Sequence, residues 1–123
     1  MENEELEKWV DAYIEVYDHE EIVDEFHPCY WAVEKFADLE ADAPEFCWEA
    51  MKSILAKSSS ERVLTNIALG PMEELIELHG ADYIGKIEKE AQTNLNFREM
   101  LRAVLETTNE EVWNRVLRAR TDA

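Results

Sequence analysis

What this chain lacks narrows its identity before anything it contains does. Glycine and proline occur three times each in 123 residues. That is sparse for the turns of a strand-rich sandwich or barrel, and it suits helices joined by short connections. Two cysteines, Cys29 and Cys47, are too few for a disulfide framework, and in a reducing compartment they are expected as free, packed thiols. No apolar run approaches the roughly 20 residues that span a bilayer. The opening Met1-Glu2-Asn3-Glu4-Glu5 has no apolar h-region, so a signal peptide is not expected and the expected location is cytoplasmic. Gly-rich phosphate loops, paired C-x₂-C units, H-E-x-x-H and the acidic calcium loop are all missing, so no cofactor and no metal ion is expected. No Ser/His/Asp or Cys/His arrangement is recognisable, so no catalytic residue is assigned.

The scarcest item is positive charge near the start. Residues 1–50 hold 17 Asp and Glu against Lys8 and Lys35, a local net charge of −15, whereas residues 51–123 hold 12 acids against 10 bases, leaving −2. The total of −17 argues against nucleic acid and against an anionic membrane surface as partners, and points to a basic protein.

What is present is a core. Hydrophobic residues make up 46% of the chain, with four each of Trp, Tyr and Phe, which separates it from charge-rich disordered segments. Apolar residues recur with a period of about 3.6 almost throughout, and no stretch alternates over a strand's length. The expectation is an all-α single domain, residues 1–123, of eight short helices packed as antiparallel hairpins, with solenoid-like curvature as a variant. The first helix, residues 4–20, buries Leu6, Trp9, Val10, Tyr13, Ile14 and Tyr17. His27-Pro28 breaks the chain before a second helix, residues 29–39, with Tyr30, Ala32, Val33, Phe36 and Ala37 inward. Asp42-Ala43-Pro44 reads as a cap with proline in the first turn of a third helix ending near residue 57. Ser58-Ser59-Ser60 reads as a turn and cap for a fourth, residues 61–69. Gly70-Pro71 is expected to end that helix and Gly80 the fifth, each glycine marking a stop. A sixth covers residues 81–92. A seventh, residues 96–105, buries Phe97, Met100, Leu101, Val104 and Leu105. Thr108-Asn109-Glu110-Glu111 has capping-box spacing before the eighth.

The acids of the first helix are patterned. Glu7, Asp11, Glu15 and Asp18 are spaced four, four and three apart, forming one stripe opposite Trp9 and Tyr13. Like charges at this spacing cost a helix roughly 0.2–0.5 kcal/mol per pair. Asp18, Glu20 and Glu21 crowd the helix C-terminus, where the macrodipole disfavours anions, and Asp24 and Glu25 prolong the run. A solvated, solubilising face is the plain reading. The length and cost of the stripe favour a carboxylate array for a Lys/Arg-rich surface, with Glu7, Asp11, Glu15, Asp18, Glu20, Glu21, Asp24 and Glu25 as partner-binding residues. The pair Tyr30-Trp31 is expected to pack in the core; adjacent helical residues point about 100° apart, so the alternative is that one ring is partly exposed and serves as an interface anchor. The late arginines, Arg98, Arg102, Arg115, Arg118 and Arg120, either pair with the acidic half or make the molecule dipolar. A rival class is an enzyme using Glu73, Glu74 and His79 as acid/base groups, although carboxylates on a short helix are usually its wet face.

The block Gly70-Pro71-Met72-Glu73-Glu74-Leu75-Ile76-Glu77-Leu78-His79-Gly80, with Tyr83-Ile84-Gly85-Lys86-Ile87-Glu88 and Asn96-Phe97-Arg98, resembles an uncharacterised family of small bacterial helical proteins. Its pattern reads G-P-L-E-x-L-x-x-H-G, then F/Y-I-x-x-I/V-E, then P/N-x-F-R. Met72 departs from the usual leucine, and the acidic first helix lies outside the pattern. The resemblance covers about residues 30–105. It implies a helical fold and a bacterial or phage origin, and it looks immunity-protein-like rather than enzymatic. The expected function is that of an acidic immunity or inhibitor protein that occludes a basic effector such as a nuclease toxin. A phage-encoded mimic of nucleic acid, aimed at a host defence protein, is the alternative. The oligomeric state is left open.

Overall fold

A computed structural model describes residues 1–18 and 24–121. Among these, the chain forms α1 (Asn3–Tyr17), α2 (Trp31–Leu39), α3 (Pro44–Lys57), α4 (Glu61–Ile67), a π-helical turn (Ala68–Met72), α5 (Glu73–Thr93), α6 (Leu95–Leu101) and α7 (Glu110–Thr121), with no strand.

The core is built from aromatic residues first. On α1, Trp9, Val10, Ala12, Tyr13 and Val16 are buried, following the 3.6-residue stripe read from the sequence. Trp9 donates its indole N–H to the buried Ala32 carbonyl at 2.8 Å and lies 4.6 Å, centroid to centroid, from Phe36. Tyr13 meets the same ring edge-on at 5.3 Å. α1 and α2 are therefore joined by three rings, and burying a residue such as Phe36 contributes roughly 1.5–3 kcal/mol. α3 supplies the centre, with Ala50, Met51, Ile54 and Leu55 fully buried and Trp48 packed against Phe97 at 5.6 Å and Tyr83 at 5.8 Å. α6 is tied to the end of α3 by Asn96, whose amide donates to the carbonyls of Leu55 (2.9 Å) and Ser58 (3.3 Å). α7 lies along α5.

Several expectations need correction. Gly70-Pro71 does not end a helix. The chain passes through both residues in a π turn that leads from α4 straight into α5, with Pro71 inside it. Proline lacks the N–H of an α-helical bond and its ring clashes with the carbonyl four residues back; one wider turn relieves both. At Gly80 the expected break is present, centred one residue earlier. α5 bends at His79 (φ −136°, ψ 20°) and continues to Thr93, and none of the described glycines has a positive φ. Gly80 is needed for contact: an added Cβ would lie 3.1 Å from Cγ1 of Val112 on α7. The expected fifth and sixth helices are thus the two segments of α5, which meet at the kink at His79.

Caps differ too. Asn109, not Thr108, accepts the Val112 N–H (3.1 Å) and caps α7. Ala43, not Asp42, occupies the position before α3, and Ser60 precedes α4 without a side-chain cap. α6 stops at Leu101, so Leu105 falls beyond it and is 60% exposed rather than buried. Ala37 is exposed, and Leu6, Ile14, Tyr17, Tyr30, Val33, Leu64, Trp113 and Leu117 are only partly buried. The expected end of the first helix, at Glu20, lies outside the described residues.

Candidate binding site

Two features of α1 bear on binding. The first is its outer face. Glu7, Asp11, Glu15 and Asp18 are all exposed and share the side opposite Trp9 and Tyr13. Lys57 of α3 reaches Asp11 at 3.1 Å. Asp24 and Glu25 are exposed after the helix, with Asp24 accepting the Phe26 N–H at 2.9 Å; Glu20 and Glu21 lie outside the described residues. Phe26 is 84% exposed and Trp31 45%. Trp31 is therefore the open member of the Tyr30-Trp31 pair. Phe26 went unnoticed in the sequence because it belongs to no helical stripe, and its only signal was its place before His27-Pro28.

Four arginines are engaged away from α1. Arg115 grips the Glu88 carboxylate through two nitrogens, one contact being 3.0 Å. That contact draws the Glu88 carboxyl below the usual range and raises the Arg115 guanidinium. Arg102 pairs with Glu99 at 3.3 Å, Arg98 donates to the Ala91 carbonyl at 3.1 Å, and Arg120 covers the Trp113 ring at 5.3 Å. Lys35, Lys52 and Lys86 sit over Trp9, Trp48 and Tyr83.

The second feature is a groove of about 430 Å³ where the C-terminal half of α1 meets α2 and the π turn. Tyr13 and Tyr17 come from α1; Val33, Phe36, Ala37 and Glu40 come from α2 and its end; Asn66, Leu69, Gly70, Pro71 and Glu74 come from α4, the π turn and α5. Burial raises the Glu40 carboxyl above the usual range, and the Glu74 carboxylate adds to the shift. Burial also raises the Tyr17 hydroxyl; Tyr30 adds to that shift and Arg62 opposes it. His79 fixes the Glu40 end of the groove: its Nε2 lies 2.8 Å from the Glu40 carbonyl. A carbonyl only accepts, so this nitrogen carries the hydrogen.

The chain belongs to a family of unknown function, DUF6869. The match spans residues 19–123, so α1 and its acids lie ahead of it. Neither a curated protein nor a solved structure matches the chain. The family therefore assigns no chemistry to these side chains, and the site rests on geometry.

The residues of the enzyme alternative are parted by the structure into different tasks. Glu74 lines the groove, while His79 holds the α2 end. Their neighbour Glu77 accepts both the N–H (2.9 Å) and the hydroxyl (2.8 Å) of Thr108, which lower its carboxyl pKa. Glu40, which the sequence did not single out, is the carboxylate that joins Glu74. Among the described residues no three His, Cys, Asp or Glu side chains are grouped to hold a metal ion. Cys29 and Cys47 are free thiols.

Proposed function

We propose that this protein is a protein-binding module of the immunity or inhibitor type, which captures a basic partner such as a nuclease effector on the acidic side of α1. The observation that carries this reading is one helical face with four exposed acids, in a molecule where Arg98, Arg102, Arg115 and Arg120 contact residues of α5, α6 and α7. Local neutralisation by Lys57 reaches Asp11. A long, same-sign array of this kind speeds encounter with a cationic surface and fixes its orientation.

The test is association kinetics with the basic product of a neighbouring gene, measured at low and high salt. Reversing Glu7, Glu15 and Asp18 to lysine leaves the Asp11–Lys57 pair in place and removes like-charge repulsion along the helix. The expected result is an on-rate about tenfold or more slower at low salt, with the difference shrinking as salt rises. Equal on-rates for the two proteins at low salt would refute the reading.

A further inference from the structure

The groove beside the π turn has a composition that specifies its occupant. Its floor is aromatic and closed: Tyr13 is 1% exposed and Phe36 is buried beside it. One flank is apolar, formed by Val33, Leu69 and Pro71, with Leu69 held out to solvent rather than packed in the core. The other end carries Glu40 and Glu74, near enough for one charge to act on the other. Asn66 gives one N–H of its amide to the Arg62 carbonyl at 2.8 Å, which leaves its oxygen as an acceptor and one N–H as a donor. Arg62 acts on Tyr17 from outside the lining.

Acceptors thus outnumber donors at one end of a groove whose other wall is apolar. The volume, about 430 Å³, is within the roughly 300–1,000 Å³ of ordinary ligand pockets. A hard divalent cation would want six or more oxygen ligands and no apolar wall. An ammonium is a compact, strongly hydrated point charge. A guanidinium is planar, weakly hydrated and multiply donating; it stacks on rings and serves two carboxylates at once, and its three-carbon stem matches an apolar flank.

We propose that this groove receives an arginine side chain of the basic partner, with its stem against Val33, Leu69 and Pro71 and its guanidinium between Glu40 and Glu74. The identity of the bearer rests on the protein-binding reading above; the fit of the guanidinium does not. The π turn has a part in this. It carries Leu69, Gly70 and Pro71 to the groove while keeping α4 and α5 in one run, the kind of local widening that recurs at functional positions.

The experiment is an amide-resolved NMR titration of the full chain at low salt with Nα-acetyl-arginine methyl ester, with the neutral citrulline analogue as control. The expected result is saturable shifts at Ala37, Glu40, Gly70, Glu74 and the Asn66 side-chain amide, and none with citrulline. Glu40→Gln and Glu74→Gln keep the shape and remove one charge each, and each is expected to weaken binding about fivefold or more with an otherwise unchanged spectrum. The proposal is overturned by shifts that run unsaturated along Glu7, Asp11 and Asp18, by equal response to citrulline, or by undiminished binding in both variants. Failure of the basic partner to bind, with the arginine titration intact, removes the partner reading and leaves the groove. A partner whose affinity is unchanged by both glutamine variants removes the groove and leaves the α1 face.

Discussion

Gly80 decides how closely α5 and α7 approach, and replacing it with alanine measures that approach directly. Alanine in a helix interior is favoured over glycine by roughly 0.5–1 kcal/mol. Against this, the added Cβ would meet Val112 Cγ1 at 3.1 Å and Cγ2 at 3.4 Å, where carbon atoms prefer about 3.5–4.0 Å. Val112 has little room to yield. Its χ1 is stiff, it is buried in the first turn of α7, and its own N–H is held by Asn109. The preceding Thr108 is clasped twice by Glu77, so that turn is pinned to α5 itself. Overpacking of a fixed site costs about 1–3 kcal/mol, so Gly80→Ala is expected to destabilise by roughly 1 kcal/mol net. Gly85 is the internal control: it lies on the same helix, and an added Cβ meets nothing within 4 Å. Gly85→Ala is expected to stabilise by about 0.5–1 kcal/mol. Urea unfolding followed by circular dichroism, with midpoints compared at constant slope, reads the difference. Val112→Ala in the Gly80→Ala background should cost less than Val112→Ala alone, because the two changes share one contact. If Gly80→Ala stabilises as much as Gly85→Ala, the close helix approach is wrong.

Two further outcomes follow from the perturbed groups. Glu40 is raised in the folded state by burial and by Glu74, so its favourable contribution is complete below the unfolded pKa and is lost as pH rises through the folded one. Because the group remains partly solvated, Glu40→Gln should be more stable than the parent by only a few tenths of a kcal/mol at pH 7 and indistinguishable from it near pH 4 by urea midpoint; a loss of stability at pH 7 would contradict the repulsion with Glu74. Burial, with Glu40 and Glu45 nearby, pushes the Cys47 thiol up to about 12, whereas Cys29 is half-buried, so a disulfide-exchange reagent at pH 8 should label one thiol per folded chain and two in denaturant.

The helical class and most of the core were legible because burial imposes a 3.6-residue period on each helix. Trp9, Tyr13, Phe36, Trp48, Ile54 and Phe97 lie where that period puts them. The joins were legible only in part. Gly70 carries the usual mark of a helix end, yet it lies in a π turn, and Gly80, which does follow a break at His79, also lies under Val112. Whether a glycine serves φ or close approach depends on a helix about thirty residues away, and local pattern holds no trace of that. The capping box at Thr108 failed for the same reason, since Glu77 competes for that residue. Of the candidate site, the exposed acids of α1 could be placed from spacing alone. The groove could not, because Glu40, Asn66 and Glu74 come together only when α2, α4 and α5 converge.

The two features of α1 restrict one another. Its acids face away from the core, whereas Tyr13 and Tyr17 face the groove. A single partner can engage both only by passing around the edge of the helix, and the passage is shortest at its C-terminal end. There Tyr17 and Asp18 are consecutive, about 100° apart around the axis. Asp18 also stands at the C-terminal end of α1, where the macrodipole disfavours an anion and a partner's cation relieves it. Glu7 lies about three turns earlier, at the far end of the same stripe. If one surface takes an arginine in the groove and further cations on α1, then Asp18→Asn should slow association more than Glu7→Gln, though each removes one charge. It should also raise the off-rate, because it borders the anchored side chain. Equal effects of the two substitutions would mean that the acidic face acts only as a diffuse field, with the groove taking no part in the same complex.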